Sequence, residues 1–241
     1  MDKKNALLNA LIGSSEIKVR KYVQDYVLRL DGIDNTREGH VGNFQGWQDL
    51  SGNDIDFYKS QDSGIISFND NSLVLTSTNT QKLDVVSTIL NGKSNATVEI
   101  YLYSSSVRGN IFKFHNNETS IFTAYSMYGA RITASFRKTN ELTFNSTLLN
   151  YSPPSKYHVS MTFNGDTNKV NVYYNYDVFR ESATVNASLI RELLNGSNFY
   201  LGLSDDRALN GNIFALRIYD RVLNNIELKN NYELDLERFG E

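Results

Sequence analysis

The sequence predicts an all-β fold, a sandwich of two antiparallel sheets. From Tyr26 onward, segments of about four to eight residues alternate apolar with polar side chains or are continuously apolar. Most of them are bounded by Asn, Asp, Gly or Ser, the residues that favour turns. The chain has 241 residues, 40% of them hydrophobic and 12% aromatic, so it can bury a sizeable core. Many short strands separated by polar turns are typical of a β-sandwich.

The predicted strands follow one another along most of the chain. In order they are residues 26–32, 72–78, 96–105, 132–138, 156–163, 169–175, 198–204 and 212–220. Pro153 and Pro154 come just before one of these strands, where a missing backbone N–H does least harm to a ladder. In the last strand Arg217 is a charged residue among apolar neighbours, so we expect it near a sheet edge or paired with an acid.

Residues 1–25 are predicted to form an N-terminal arm, followed by one domain over residues 26–241. The arm has apolar residues at helical spacing and Gly13 as a stop, which predicts a short amphipathic helix. We expect its apolar side chains to anchor the arm to a partner or to its own domain; they are Leu7, Leu8, Leu11 and Ile12. The segment is a poor signal peptide because Asn9 interrupts it and no Ala-x-Ala site follows, so no secretion signal is recognised.

Two further segments are predicted helices. In residues 188–196, Ser188 is a candidate N-cap and Gly196 follows the last apolar residue. Residues 224–239 form a predicted C-terminal helix. Its expected apolar stripe consists of Leu223, Ile226, Leu228, Tyr232 and Leu236.

Composition excludes several classes of function. The net charge is −3 and the sequence contains no long basic block, so a nucleic-acid partner is not expected. Cysteine is absent, which excludes disulfides and thiolate metal sites. No apolar run approaches the roughly 20 residues that span a membrane.

Three segments carry motifs that can be compared with a known domain family. Residues 28–54 contain Trp-x-Asp-Leu-Ser-Gly-Asn at 47–53. Residues 156–175 join a Tyr-His-Val strand to a Tyr-rich strand through a Gly/Asp turn. The most specific motif is Gly-x-Ile-x-x-Leu-Arg-Ile-Tyr-Asp-Arg-x-Leu at residues 211–223. Together they resemble the laminin-G-like branch of the concanavalin A-like lectin and glucanase superfamily.

This resemblance covers the chain from about Tyr26 to its end. It implies a concanavalin A-like jelly-roll sandwich of two antiparallel sheets, one of them concave. It also implies a non-catalytic module for binding or adhesion.

The segment Glu-Leu-Asp-Leu-Glu at residues 233–237 also matches a short catalytic pattern of laminarinases and lichenases, which belong to the same superfamily. In those enzymes the two outer glutamates lie on a strand and act as nucleophile and general acid/base. Here the pattern lies in the predicted C-terminal helix and only four residues follow it. We therefore disfavour a glycoside hydrolase that uses Glu233 and Glu237, and we expect no enzyme. The strand residue His158 is expected to be structural.

Calcium is the one cofactor considered, because laminin-G-like domains sometimes bind it at a sandwich rim. The candidate ligands are Asp31, Asp34, Asp205 and Asp206. A calcium site needs six to eight converging oxygen atoms. The alternative, which we favour, is that these residues make turns by bonding their own backbone.

Tyrosine supplies the candidate sugar-binding groups, because its aromatic face can stack on a sugar ring. The candidates are Tyr125, Tyr128, Tyr151, Tyr174 and Tyr176. The alternative for each is packing, since tyrosine also suits a half-buried sheet.

Because sandwiches of this family recur in phage decoration and fibre proteins, and no secretion signal is recognised, the resemblance implies a lectin-like binding module on a bacteriophage virion, decorating a capsid or tail and contacting surface glycans. Its expected location is the virion surface or the extracellular space. A protein shell or fibre is the alternative partner to a surface polysaccharide, and a homo-oligomer is compatible with either. A purely structural component without a glycan ligand is the alternative function.

Overall fold

The structure is a computed structural model. It describes residues 20–44, 46–59, 66–75, 83–85, 89–104, 108–116, 121–128, 131–138, 141–149, 155–181, 184–195, 198–201 and 210–240. The predicted anchors Leu7, Leu8, Leu11 and Ile12 lie outside the described residues.

Seventeen strands and two helices are described, and we number them in chain order. They are β1 (Tyr26–Asp31), β2 (Asn43–Phe44), β3 (Gly46–Trp47), β4 (Phe57–Lys59), β5 (Ile66–Asn69), β6 (Ser72–Leu75), β7 (Leu83–Val85), β8 (Asn95–Ser104), β9 (Arg108–Asn116), β10 (Ile121–Tyr128), β11 (Arg131–Lys138), β12 (Glu141–Leu149), β13 (Ser155–Asn164), β14 (Lys169–Tyr174), β15 (Asp177–Glu181), α1 (Ala187–Leu194), β16 (Asn198–Leu201), β17 (Gly211–Tyr219) and α2 (Asn225–Phe239).

The strands form two sheets, and the pairs within each are antiparallel. Sheet I has nine strands in the order β15-β14-β13-β8-β17-β6-β5-β2, with β1 paired to β17. Sheet II has eight strands in the order β12-β11-β10-β9-β16-β7-β4-β3. This confirms the predicted all-β sandwich of two antiparallel sheets.

The main core lies between the two sheets. Alternate residues of β8 supply Ala96, Val98, Ile100 and Leu102, all fully buried. Sheet II supplies an aromatic group in which the Phe199 ring packs on those of Phe57, Phe112 and Phe114. Because successive strand residues point to opposite faces, the other residues of β8 lie on the outer face of sheet I. There Thr97, Glu99 and Tyr101 are also buried, so a second layer covers that face.

Helix α2 is that second layer, and side-chain and glycine caps define its two ends. The Asn224 side chain accepts hydrogen bonds from the backbone N–H groups of Ile226 and Glu227, and the Glu227 carboxylate accepts one from the Asn224 N–H. This reciprocal pair is a capping box. Gly240 follows the helix with a φ of 75°, a left-handed value that glycine adopts without strain.

The predicted apolar stripe of α2 is wrong at one position and lacks three of the buried residues. Ile226 is 82% exposed. The buried residues of the helix are Leu228, Asn231, Asp235 and Phe239. Two of these four are polar because they face charged groups on sheet I, a partnership that hydrophobic periodicity does not show.

The shorter helix α1 also begins differently from the prediction. Its N-cap is Asn186, whose side chain accepts the N–H of Ser188, so Ser188 lies inside the helix. Ile190, Leu193 and Leu194 face the main core.

Residues 20–25, which we call the strap, run against α2 before the chain enters β1. Val23 N–H donates to the Asn231 side chain at 3.0 Å, and the Tyr22 hydroxyl donates to Asp235 at 3.1 Å. Arg221 binds the Asp25 carboxylate. The last part of the predicted N-terminal arm therefore docks on its own domain. Among the helices described, none combines the length and apolar character that a membrane span requires.

Candidate functional site

An open cleft of about 340 Å³ lies between two loops near the start of the domain. The first loop, residues 32–42, connects β1 to β2, and the second, residues 48–56, connects β3 to β4. The lining residues are Thr36, Arg37, Glu38, Val41 and Gln48. We call this the Arg37 cleft. It lies within the first segment that carries the family resemblance.

The first loop is held in shape by its own side chains. Asn35 is fully buried, donates to the Val41 carbonyl at 2.7 Å and accepts from the Val41 N–H at 2.8 Å. Thr36 and Gly39 exchange backbone hydrogen bonds, which closes the tip of the loop. The loop therefore needs no ligand to define its conformation.

Hydrogen bonds from the second loop fix the floor of the cleft. The side-chain oxygen of Gln48 accepts from the Arg37 N–H at 2.8 Å, and the Gln48 N–H donates to the Asn35 carbonyl at 3.1 Å. Below them, the fully buried Trp47 indole donates to the Asp31 carbonyl at 3.0 Å and packs edge-on against Phe68. The Trp-x-Asp motif is thus a scaffold for the cleft.

Asp49, the other member of that motif, organises the second loop. It is fully buried, and its carboxylate accepts from the backbone N–H groups of Arg29, Ser51 and Ile55 and from the Ser51 hydroxyl. A carboxylate with several N–H donors is a strong organiser of loop backbone.

Arg37 is the main charged group of the cleft. Its guanidinium binds Asp56 at 2.6 Å and Asp54 at 3.0 Å, and its side chain is 38% exposed. The hydrogen bond to Asp56 is the largest effect that raises the pKa of Arg37. Beside it, Val41 is 39% exposed. The cleft thus combines a fixed cation, a carboxylate, an amide and an exposed apolar side chain, a composition that suits binding of a polar ligand.

The structure corrects the calcium prediction for Asp31 and Asp34. Arg238 binds Asp31 at 3.0 Å and Asp34 at 2.8 Å, while Asp31 also accepts from the N–H groups of Ile33 and Asp34. The Asp31 carboxylate is held by turn N–H groups, as the alternative predicts, and by Arg238, which also holds Asp34. No group of three His, Cys, Asp or Glu residues suited to a metal occurs in the described part of the chain. Asp205 and Asp206 lie outside it.

The predicted sugar-binding tyrosines are dispersed. The prediction that Tyr174 binds sugar is wrong, because its side chain is buried in the main core and only 7% exposed. Tyr176 is half-buried and packs on the Tyr232 ring of α2 at 5.2 Å. Tyr125 and Tyr128 lie on β10, in register with Phe112 and Arg108 of β9. Tyr151 lies outside the described residues.

Glu233 and Glu237 lie one turn apart on α2. Arg20 of the strap binds Glu233 at 2.8 Å and Glu237 at 3.5 Å. The glycosidase hypothesis requires these two residues on a strand, and their position on a helix contradicts it.

Arg217 has acidic partners, as predicted. Its guanidinium binds Glu99 on β8 and Asp235 on α2, and all three side chains are at most 3% exposed. Neither the two acids as partners of Arg217 nor any cleft-lining residue as a ligand contact is predicted by the sequence. The cleft could have been found from its position between β1 and the Trp-x-Asp motif, in the first segment that carries the family resemblance.

Comparisons with known proteins show similarity at the level of fold. No protein-family model and no curated protein sequence matches the chain. The receptor-binding domain of botulinum neurotoxin C/D mosaic serotype superposes with a TM-score of 0.62 at 16% identity, covering 89% of this chain and 52% of that one. The binding domain of botulinum neurotoxin DC, solved in complex with rat synaptotagmin II, gives a TM-score of 0.64 at 10% identity, covering 88% and 52%.

A third solved structure is the ligand binding domain of botulinum neurotoxin serotype D in complex with N-acetylneuraminic acid. It gives a TM-score of 0.59 at 14% identity, covering 88% of this chain and 52% of that one. This chain therefore spans about half the length of these structures. At such identities the similarity establishes the β-sandwich fold alone.

Proposed function

We propose that this protein is a non-catalytic binding module of the laminin-G-like type, and that the Arg37 cleft holds a surface polysaccharide. The observation that carries the proposal is the preformed cleft of about 340 Å³, whose loops are fixed by internal hydrogen bonds. A preorganised site binds with little loss of conformational entropy, which favours weak polar ligands such as sugars.

The chemistry of the cleft supports a polyhydroxylated ligand. Arg37 has N–H donors, Glu38 has acceptor oxygens, and the Gln48 amide can do both. Val41 offers an apolar surface for the C–H groups of a sugar ring, as its 39% exposure allows. Because Asp54 and Asp56 hold the Arg37 guanidinium in place, its free donor directions are fixed before a ligand arrives.

The structural neighbours support the same class of function. One was solved with N-acetylneuraminic acid, another with SialylT and a third with a protein receptor, synaptotagmin II. This fold thus occurs in proteins that bind glycans and proteins. Since the chain spans half of each neighbour, the transfer of a glycan ligand to this chain is part of the proposal.

A glycan array with a matched pair of variants tests this function. Arg37→Ala removes the cation of the cleft, and we expect at least about a tenfold loss of affinity for the bound glycan, the value of one charge-assisted hydrogen bond. Arg221→Ala is the control, because Arg221 also bridges two carboxylates, Asp25 and Glu227, and its 36% exposure matches the 38% of Arg37. Equal losses in both variants, or no glycan bound by the wild type, would contradict the proposal.

We further propose that the module decorates a bacteriophage capsid or tail. The support is the family resemblance, because sandwiches of this kind recur in phage decoration and fibre proteins. Mass spectrometry of purified phage particles would detect the chain in stoichiometric amount if this is correct. Presence in particles together with an empty glycan array would favour the purely structural role.

A further inference from the structure

A cluster of buried charged groups lies between the outer face of sheet I and the inner face of α2. Arg217 donates to Glu99 Oε2 at 3.2 Å and to Asp235 Oδ1 at 3.0 Å, with a further bond to Asp235 Oδ2. Asn231 donates to Glu99 Oε2 at 2.8 Å. One cation thus faces two carboxylates in a site closed to solvent, which leaves one negative charge uncompensated if both acids are ionised.

Two atoms of this cluster lack hydrogen bonds within the described residues. They are Glu99 Oε1 and His158 Nε2, both completely buried. They lie 3.7 Å apart, and His158 Nε2 is also 3.4 Å from Asp235 Oδ2. The other ring nitrogen of His158 is 3.3 Å from the Ser160 hydroxyl. An unpaired polar atom in the interior is unfavourable, so two that face each other require a common explanation.

We propose that Glu99 and His158 hold one proton between them in the folded protein, and that this proton latches α2 and the strap onto sheet I. With the proton, the charges of Arg217, Asp235, Glu99 and His158 sum to zero. A shift of less than about 1 Å brings Glu99 Oε1 and His158 Nε2 to the distance of a hydrogen bond, which satisfies both atoms. No other atoms need to move far, because the register already places Glu99 between Arg217 and Ser160.

The proton lies on the glutamate. Burial is the main cause that raises the pKa of Glu99 to about 7. Burial also lowers the pKa of His158 well below its usual value, so the imidazole stays neutral and accepts. The pair titrates as a unit near neutral pH.

The remaining groups around the pair do not change charge in that range. Burial raises the pKa of the hydroxyls of Tyr22 on the strap and Tyr219 on β17, so both stay neutral. Burial raises the pKa of Asp235 as well, but two hydrogen bonds from Arg217 favour its ionised form. The groups around the pair are Arg217 and Tyr219 from β17, Asn231, Tyr232 and Asp235 from α2, Tyr101 from β8 and Ser160 from β13, and Tyr22 of the strap contacts Asp235.

The direction of the pH effect follows from proton linkage. The ordinary pKa of Glu99 is 4.5 and its value in the folded state is about 7, so the latched state carries about one extra proton between these values. The stabilisation by Glu99 is full below pH 4.5 and is lost as the pH rises through 7. His158 acts in the opposite sense, since its lowered pKa favours folding as the pH rises to about 6.5. The Glu99 contribution must therefore be isolated by a variant.

Hydrogen exchange measured by mass spectrometry isolates the contribution of Glu99. Glu99→Gln keeps the shape and cannot titrate. After correction for chemical exchange, we expect the protection of residues 20–25 and 225–239 in the wild type to fall about tenfold per pH unit between pH 5 and 7, relative to the variant. Asp54→Asn is the control, because it removes an 81% exposed carboxylate on the loop between β3 and β4, outside α2 and the strap, and it should follow the wild-type profile.

Infrared spectroscopy gives a second measurement that needs no variant to fold. The wild type should show a protonated-carboxyl C=O band at pH 6 that disappears with a midpoint near pH 7. Absence of that band at pH 6 would overturn the proposal. Identical pH profiles of exchange in the wild type and Glu99→Gln would overturn it as well.

Discussion

Two arginines in this protein, Arg37 and Arg217, each bind two carboxylates in very different surroundings. Arg37 binds Asp54 and Asp56 at the surface with 38% of its side chain exposed, whereas Arg217 binds Glu99 and Asp235 with 3% exposed. Water screens the first group, and the interior does not screen the second. The same chemistry therefore leaves Arg37 available to a ligand, while Arg217 is committed to holding α2 on sheet I.

The largest effect is expected from breaking the buried group. Arg217→Met leaves Glu99 and Asp235 without their cation, and we expect a loss of about 3–5 kcal/mol in the free energy of unfolding. Chemical denaturation measures it. Adding Glu99→Gln and Asp235→Asn to the same chain should recover part of the loss, because the uncompensated charges are then gone. A loss below about 1 kcal/mol for Arg217→Met would show that water reaches this cluster.

A second variant tests Asp49, which supports the loop beside the exposed Arg37. Asp49→Asn replaces a buried acceptor of several hydrogen bonds by an amide with only one acceptor oxygen. We expect a loss of about 1.5–3 kcal/mol in the free energy of unfolding. Glycan affinity should fall as well, since the second loop positions Gln48. Unchanged stability with lost affinity would mean that Asp49 contacts the ligand itself.

A smaller effect is expected at the start of α2. Asn224→Ala removes the N-cap side chain, which should cost about 1 kcal/mol in the free energy of unfolding. Asn186→Ala at α1 is the matched control and should lose a similar amount. If Asn224→Ala also exposes residues 20–25 to hydrogen exchange while Asn186→Ala does not, the strap depends on α2.

The smallest effect on stability is expected from the exposed arginine. Arg37→Ala should change the free energy of unfolding by at most about 1 kcal/mol, because surface ion pairs contribute little. Thermal denaturation of the wild type and the variant checks this. A loss comparable to that of Arg217→Met would remove the contrast between the two arginines.

Much of the fold could be predicted from the sequence, because alternation of apolar residues and turn residues is local information. The strands at 96–105, 156–163 and 212–220 correspond to β8, β13 and β17, and the C-terminal helix corresponds to α2. The strands β9, β10 and β12 were not predicted, since their polar residues obscure the alternation.

The buried charged cluster could not be predicted, because its members come from four elements that are separated in sequence. Glu99, His158, Arg217 and Asp235 come together only through the order of strands in sheet I and the placement of α2. The apolar stripe predicted for α2 fails for the same reason, because the buried polar residues Asn231 and Asp235 face partners that are distant in sequence. Tyr174 is a candidate sugar-binding residue by sequence because composition does not show which face of β14 is buried.

Mapping of a bound glycan by nuclear magnetic resonance tests the central claim most directly. The strongest ligand from the array is titrated into ¹⁵N-labelled protein. We predict that the largest shifts occur at residues 36–41 and at Gln48, and that they vanish in Arg37→Ala. Shifts confined to β10, where Tyr125 and Tyr128 lie, would contradict the assignment of the cleft. Failure of every surface polysaccharide to bind would contradict the function itself.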